Sequence, residues 1–180
     1  MIIAQQKRRE NIAEYVLYMW QLEDLLRACK LDLDTIQQKI ILGYQVDEKI
    51  KKEITGWYES LVHMMRSEGI EKTGHLQLIK NTVSQMDELH RNLLSQANQA
   101  DYVKAFIQAK ANINLFKTKS NNFEASDIEL CLSALYSLLL MKISGKELHS
   151  ETLESMQSFT ILLSLLARKF KEWEAGTLEL

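Results

Sequence analysis

Proline is missing altogether from the 180 residues, where average usage of ~5% would supply about nine. Proline breaks or kinks helix interiors and stiffens loops, so its absence leaves long helices uninterrupted and excludes proline-built linkers. Glycine is sparse too, at six. Gly43, Gly69, Gly145 and Gly176 fall where hydrophobic periodicity stops, as helix C-caps do, and Gly56 and Gly74 need a separate account. The only two cysteines, Cys29 and Cys131, lie far apart in apolar segments with no second Cys or His at ligand spacing. That excludes a disulfide framework and reads as two buried, reduced thiols.

No sign of charge dominates. Lys plus Arg number 22 against 24 Asp plus Glu, a formal charge of -2, so no broad field draws the chain to nucleic acid. The longest central uncharged run, Leu130 to Met141, covers 12 residues against the ~20 that a membrane-spanning helix needs. Lys7-Arg8-Arg9 follows a brief apolar start with no apolar stretch behind it, so a secretory signal is not expected. Strand-like alternation with Asn-Gly turns is lacking, as are nucleophile elbows, phosphate-binding glycine loops and paired cysteines. No catalytic residue, metal ligand set or cofactor is therefore assigned, and a soluble cytoplasmic protein is expected.

What is present is helical periodicity. A helix over about 7–29 puts Ile12, Tyr15, Met19, Leu22 and Leu26 on one face at 100° per residue. Asp34 with Gln37 marks a short helix ending at Gly43, and Asp47 caps a third whose stripe Ile50, Ile54, Trp57, Leu61, Met64 and Met65 stops at Gly69, a Schellman stop with Ile70 next. Gly56 lies opposite that stripe, where a close neighbour would account for it. A fourth helix starts near Thr73 or Gly74 and carries Leu76, Ile79, Val83, Met86 and Leu93; Asp101 caps a fifth with Tyr102, Phe106, Ala109, Ile113 and Phe116. A polar loop is expected over 117–125, closed by Ser126 with Glu129. The segment 127–144 is apolar nearly all round and belongs at the centre. Ser150 opens the last helix, with Met156, Phe159, Leu163, Leu166, Phe170 and Trp173, and the residues after Gly176 are expected to fray. The prediction is all-α: one domain over 1–180, a bundle of six or seven helices.

Two places depart from this pattern. His90 points inward with Met86 and Leu93, and Asp87 flanks it; it reads as a core histidine with a hydrogen-bond partner or as the centre of a ligand site. Glu23 projects onto the apolar face with Ile12 and Val16, with Arg27 one turn on and Trp20 and Arg9 beside it. The pair reads as a partly buried Glu23–Arg27 ion pair or as a polar notch where Trp20, Glu23 and Arg27 anchor a partner. His63 sits with Glu59 on the solvent side, and no two histidines fall closer than 12 residues, so a di-iron pattern of paired Glu-x-x-His motifs is not met. The remaining basic clusters, at 49–52 and 168–171, read as solvated faces.

The run Gln5 to Asp24, QQKRRENIAEYVLYMWQLED, together with Trp57-Tyr58-Glu59, Met64-Met65-Arg66-Ser67-Glu68-Gly69, Gly74-His75-Leu76-Gln77 and Ala134-Leu135-Tyr136, resembles an uncharacterised all-helical Bacteroidetes family, a domain of unknown function. The resemblance spans most of the chain. It implies an all-helical intracellular bacterial protein and brings neither an activity nor site residues. The expectation for function is a non-catalytic interaction or regulatory bundle, homodimeric in one form, with Trp20, Trp57 and Trp173 as surface candidates. The alternative is a small-molecule- or metal-binding bundle, in one form an enzyme, centred on His90 with Asp87.

Overall fold

The computed structural model describes residues 2–146 and 149–179. Among these the chain forms eight α-helices and no strand: α1 (Ile2–Glu10), α2 (Ile12–Ala28), α3 (Leu33–Lys39), α4 (Glu48–Ser67), α5 (Gln77–Ser95), α6 (Ala100–Ser120), α7 (Asp127–Ile143) and α8 (Ser150–Glu174), with a 3-10 turn at Ile41–Gly43. The fold is the expected all-α bundle, with one more helix than the sequence pattern suggested. Asn11 makes the difference. Its backbone is extended (φ -153°, ψ 105°) and its side chain accepts from the N–H groups of Ala13 and Glu14, both at 3.1 Å. An asparagine cap thus breaks the first helix with no proline.

The other ends show which local signals decided. Asp47 accepts from Ile50 N–H at 2.8 Å and Ser126 from Glu129 N–H at 3.1 Å, both as expected. The cap of α3 is Asp32, through Thr35 N–H at 2.8 Å, and Asp34 merely occupies the first turn. Asp101 likewise sits inside α6, whose cap position is Gln99. Helix α6 runs on to Ser120 and stops at Asn121 in the left-handed region (φ 53°), so the polar loop is shorter than 117–125. Gly69 ends α4 at φ 68°, with Ile70 N–H on Met65 O at 3.0 Å and Gly69 N–H on Arg66 O at 3.1 Å, the two bonds of a Schellman stop. No atom stands within 4 Å of a Cβ placed on Gly56, so the close neighbour expected there is absent. After Gly176 the chain turns back instead of fraying: Thr177 N–H bonds Glu172 O at 2.9 Å, and Gln99 Nε2 donates to Glu179 O at 3.0 Å.

The core gathers around α7 and α8. Helix α8 packs most extensively on α6 and also meets α2, α5 and α7. Ala105 and Ala109 keep the buried face of α6 narrow beside Tyr102 and Ile113. Ile128, Leu130, Cys131, Leu132 and Ala134 of α7 are fully buried, and each such Leu or Ile contributes about 1.5–3 kcal/mol. The central position expected for the whole of 127–144 holds only for this first half. Beyond Tyr136, which still reaches α2, Leu140 is exposed and Ile143 is 63% exposed, while Ser137 and Met141 line a groove shared with α6 and α8.

Candidate functional site

Helix α5 lacks a local cap. Leu76 occupies the cap position and offers no side-chain oxygen, leaving the first amides of a nineteen-residue helix to find acceptors elsewhere. Two distant carboxylates supply them. Glu23 Oε1, from α2, accepts from Leu76 N–H at 2.9 Å, and Glu68 Oε2 accepts from Gln77 N–H at 2.7 Å. Negative charge at a helix N-terminus is also favoured by the helix dipole. Arg27, one turn along α2, holds the chain entering α5: Nε and Nη2 donate to Ile70 O at 3.3 and 3.2 Å, and Nη2 also donates to Gly74 O. Gly74 adopts φ 93° to present that carbonyl.

The same clamp orients a histidine. Glu23 is 1% exposed, and its second oxygen, Oε2, lies 2.6 Å from His75 Nδ1. With the carboxylate as acceptor, Nδ1 is the donor of this pair and Nε2 is the ring nitrogen turned away from it. Nε2 has no partner among the described residues. The His75 ring stacks on Trp20, with centroids 4.5 Å apart and planes 20° off parallel, and Tyr136 meets Trp20 edge-on at 5.7 Å. Tyr136 Oη in turn donates to Asp24 Oδ2 at 2.6 Å, and Arg27 Nη1 donates to Asp24 Oδ1 at 2.8 Å. Burial and then the Asp24 hydrogen bond push the Tyr136 pKa well up, which keeps this donor protonated.

His75, whose side chain is 37% exposed, opens onto a cleft of about 280 Å3 between α5 and the start of α7. Trp20, Ile79 and Val83 supply buried lining; Lys80, Ser84, Asp87, Ser126 and Glu129 supply polar lining. Trp20 is only 4% exposed, and its indole Nε1–H is buried without an acceptor. Clefts of this kind, apolar with a few converging polar groups, are where small molecules bind.

The residues singled out in the sequence are distributed differently from the reading given there. His90, 3% exposed, lies outside this cleft, with Nδ1 at 2.7 Å from Tyr102 Oη and its ring edge-on to Tyr102 and Phe106. Desolvation lowers its pKa, only partly opposed by the carboxylates of Asp127 and Asp87. Asp87 makes no hydrogen bond to it and lines the His75 cleft instead, so the two residues do not share one site. Glu23 and Arg27 do not pair with each other: Glu23 takes His75 and Arg27 takes Asp24. Trp20 and Glu23 are covered within the chain, and of that trio only Arg27 is partly exposed. The thiols of Cys29 and Cys131 are free and buried, and burial pushes the Cys131 pKa far up, so that thiol is no nucleophile at neutral pH. Among the described residues no three His, Cys, Asp or Glu side chains converge as a metal site, and no helix is long and apolar enough to cross a membrane.

His75 is the residue that sequence reasoning passed over. The one signal was Glu23, an acid on an apolar face; its partners lie 52 and 53 positions away, and no local spacing points to them.

Fold and cleft together define an all-helical bundle with a histidine held at a cleft by a buried carboxylate. Residues 1–177 match a domain of unknown function (DUF4924), and the chain belongs to that family. No curated protein and no solved structure matches it.

Proposed function

We propose that this chain is a small-molecule-binding helical bundle whose site is the cleft at His75. One observation carries the reading: a half-exposed imidazole stacked on Trp20 and tied through Nδ1 to a carboxylate that is 1% exposed. Burying a carboxylate is costly unless its oxygens are bonded, and here that carboxylate fixes the ring that opens onto the cleft. A fixed ring spends less rotamer freedom on binding. The reading is one of binding. A cytoplasmic setting in a Bacteroidetes host belongs to the same reading, on the strength of the sequence resemblance and the free thiols. Native mass spectrometry of the protein purified undenatured from its own host tests it. The expected spectrum carries a small-molecule adduct that His75→Ala loses; an adduct kept by both forms contradicts the assignment to this cleft.

A second reading, self-association as an interaction module, has its own support at the far end of α7. A groove of about 460 Å3 walled by α6, α7 and α8 has Leu115, Phe116, Met141, Met156 and Phe159 in its lining, and Leu140, Ile143 and Leu153 are exposed on α7 and α8 outside that lining. A two-fold interface would set this face against itself. The occupant is a second copy of the chain. Light scattering after size exclusion reads this directly: a dimer that Ile143→Lys dissociates supports it, and a monomer at high micromolar concentration contradicts it.

A further inference from the structure

Helices α3 and α4, with the 3-10 turn between them, keep their main helix contacts among themselves, whereas α2, α5, α7 and α8 pack on one another. Their polar bonds divide in the same way. Tyr44 Oη and Tyr58 Oη lie 3.2 Å apart and Thr55 Oγ1 donates to Gln37 Oε1 at 3.5 Å, both within the segment 33–67. Among the described residues no hydrogen bond or ion pair runs from that segment to α1, α2 or α5 to α8. What joins it to them is apolar: Ile36, Ile54, Tyr58, Leu61, Val62 and Met65 are buried in the common core. Across this joint, burial and then the nearby Tyr44 phenol push the pKa of Tyr18, on α2, up to about 12. Both connections to the rest of the bundle sit at one end of the segment, since Arg66 Nη2, in the last turn of α4, donates to Leu31 O at 3.1 Å. Each connection carries left-handed backbone: Lys30 and Leu31 at φ 54° on the way in, Gly69 at φ 68° on the way out. Glycine adopts that conformation freely, but a residue with a side chain is strained there, and strain of this kind persists only where the surrounding packing holds it.

We infer that residues 33–67 form a hinged arm that swings away from α2 and back as one unit, about Lys30–Leu31 and Gly69. Opening separates the apolar joint, breaks no side-chain hydrogen bond across it and frees two strained residues. The rest of the bundle stays folded, because α2 keeps its packing on α1, α5, α7 and α8. The His75 cleft stays with it: Arg27 and Glu23 fix Ile70 and Leu76 to α2, so the arm moves independently of what the cleft binds. The open form uncovers Tyr18 and the face of α4 from Tyr58 to Met65, apolar surface that the closed form hides.

Native-state hydrogen exchange of the intact chain, from zero urea to just below the unfolding transition, tests this. The amides of residues 54–65 are expected to share one opening, with protection at least about a hundredfold below that of α8. Their urea dependence should be the smaller, because less surface is exposed. Ile113→Val, in the core of α6, should lower the α8 protection about fivefold and leave the α4 set unchanged, since arm opening does not disturb α6. Lys30→Gly should raise the α4 protection about threefold by relieving one strained residue of the hinge. If α4 and α8 exchange through one common opening, or Ile113→Val weakens both sets equally, there is no separate arm and the inference is overturned. Exchange of residues 54–65 one by one without urea dependence overturns it too, and a Lys30→Gly without effect removes Lys30 from the hinge.

Discussion

His75 and His90 have nearly the same first contact, an oxygen 2.6 or 2.7 Å from Nδ1, and opposite surroundings. The oxygen beside His90 belongs to Tyr102, itself buried, and the ring is enclosed by Tyr102 and Phe106. His90 is thus a packed, satisfied core group whose removal leaves a hole and a stranded phenol. The oxygen beside His75 belongs to a buried carboxylate, and the other edge of the ring opens onto the cleft between α5 and α7. There the protein's own groups hold half of the histidine and leave half to bond something else. An inward-facing histidine in a helical pattern therefore identifies a core position, and the functional candidate is the one tethered from behind.

The largest effect separates the two by stability. His90→Ala is expected to cost about 3 kcal/mol, since it opens a cavity and orphans Tyr102 Oη, and to leave the small-molecule adduct in place; urea denaturation and native mass spectrometry read the two halves. A loss below 1 kcal/mol would dissolve the distinction. Next comes Glu23→Ala, at about 2 kcal/mol, because it removes the distant cap of α5 and the tether of His75 together. Hydrogen exchange at the Leu76 amide should quicken there, more than at Gln77, which Glu68 still holds, and stay unchanged in His90→Ala.

A smaller effect follows from pH. Burial holds the His90 pKa below its usual 6.5, so the unfolded chain takes up a proton first as pH falls. The unfolded state then binds more protons, and stability declines as pH drops through about 6.5 until the lower folded pKa is reached. The stability of His90→Phe, compared with wild type between pH 7.5 and 5, should show a shallower decline. The smallest expected effect is a control remote from both histidines: Gly56→Ala on the exposed face of α4, where an added Cβ meets nothing within 4 Å, should stabilise by about 0.5–1 kcal/mol and alter neither binding nor the pH profile.

Most helices could be read from the chain because hydrophobic period and cap residues are local. Asp47, Ser126 and Gly69 act within four residues of themselves, and the structure keeps all three. Asn11 carried a cap signal too, but its neighbours continued the helical period, and the break went unread. The start of α5 was misplaced for a different reason: its caps are Glu23 and Glu68, and one of them is 53 residues away. The site was legible only as a discord, an acid where apolar residues belong. Which group Glu23 meets depends on how α2 packs beside the chain that enters α5, and that is a property of the folded bundle.

The tautomer of His75 tests this account most directly. Long-range proton–nitrogen spectra of the imidazoles, recorded from pH 6 to 9, report which ring nitrogen carries the proton once the ring is neutral. With the Glu23 carboxylate taking that proton, His75 should be protonated at Nδ1 with Nε2 bare, and Glu23→Gln should release it from this state. A neutral His75 protonated at Nε2 would contradict the account, because the ring would then face the cleft as a donor and Glu23 would not be what aims it.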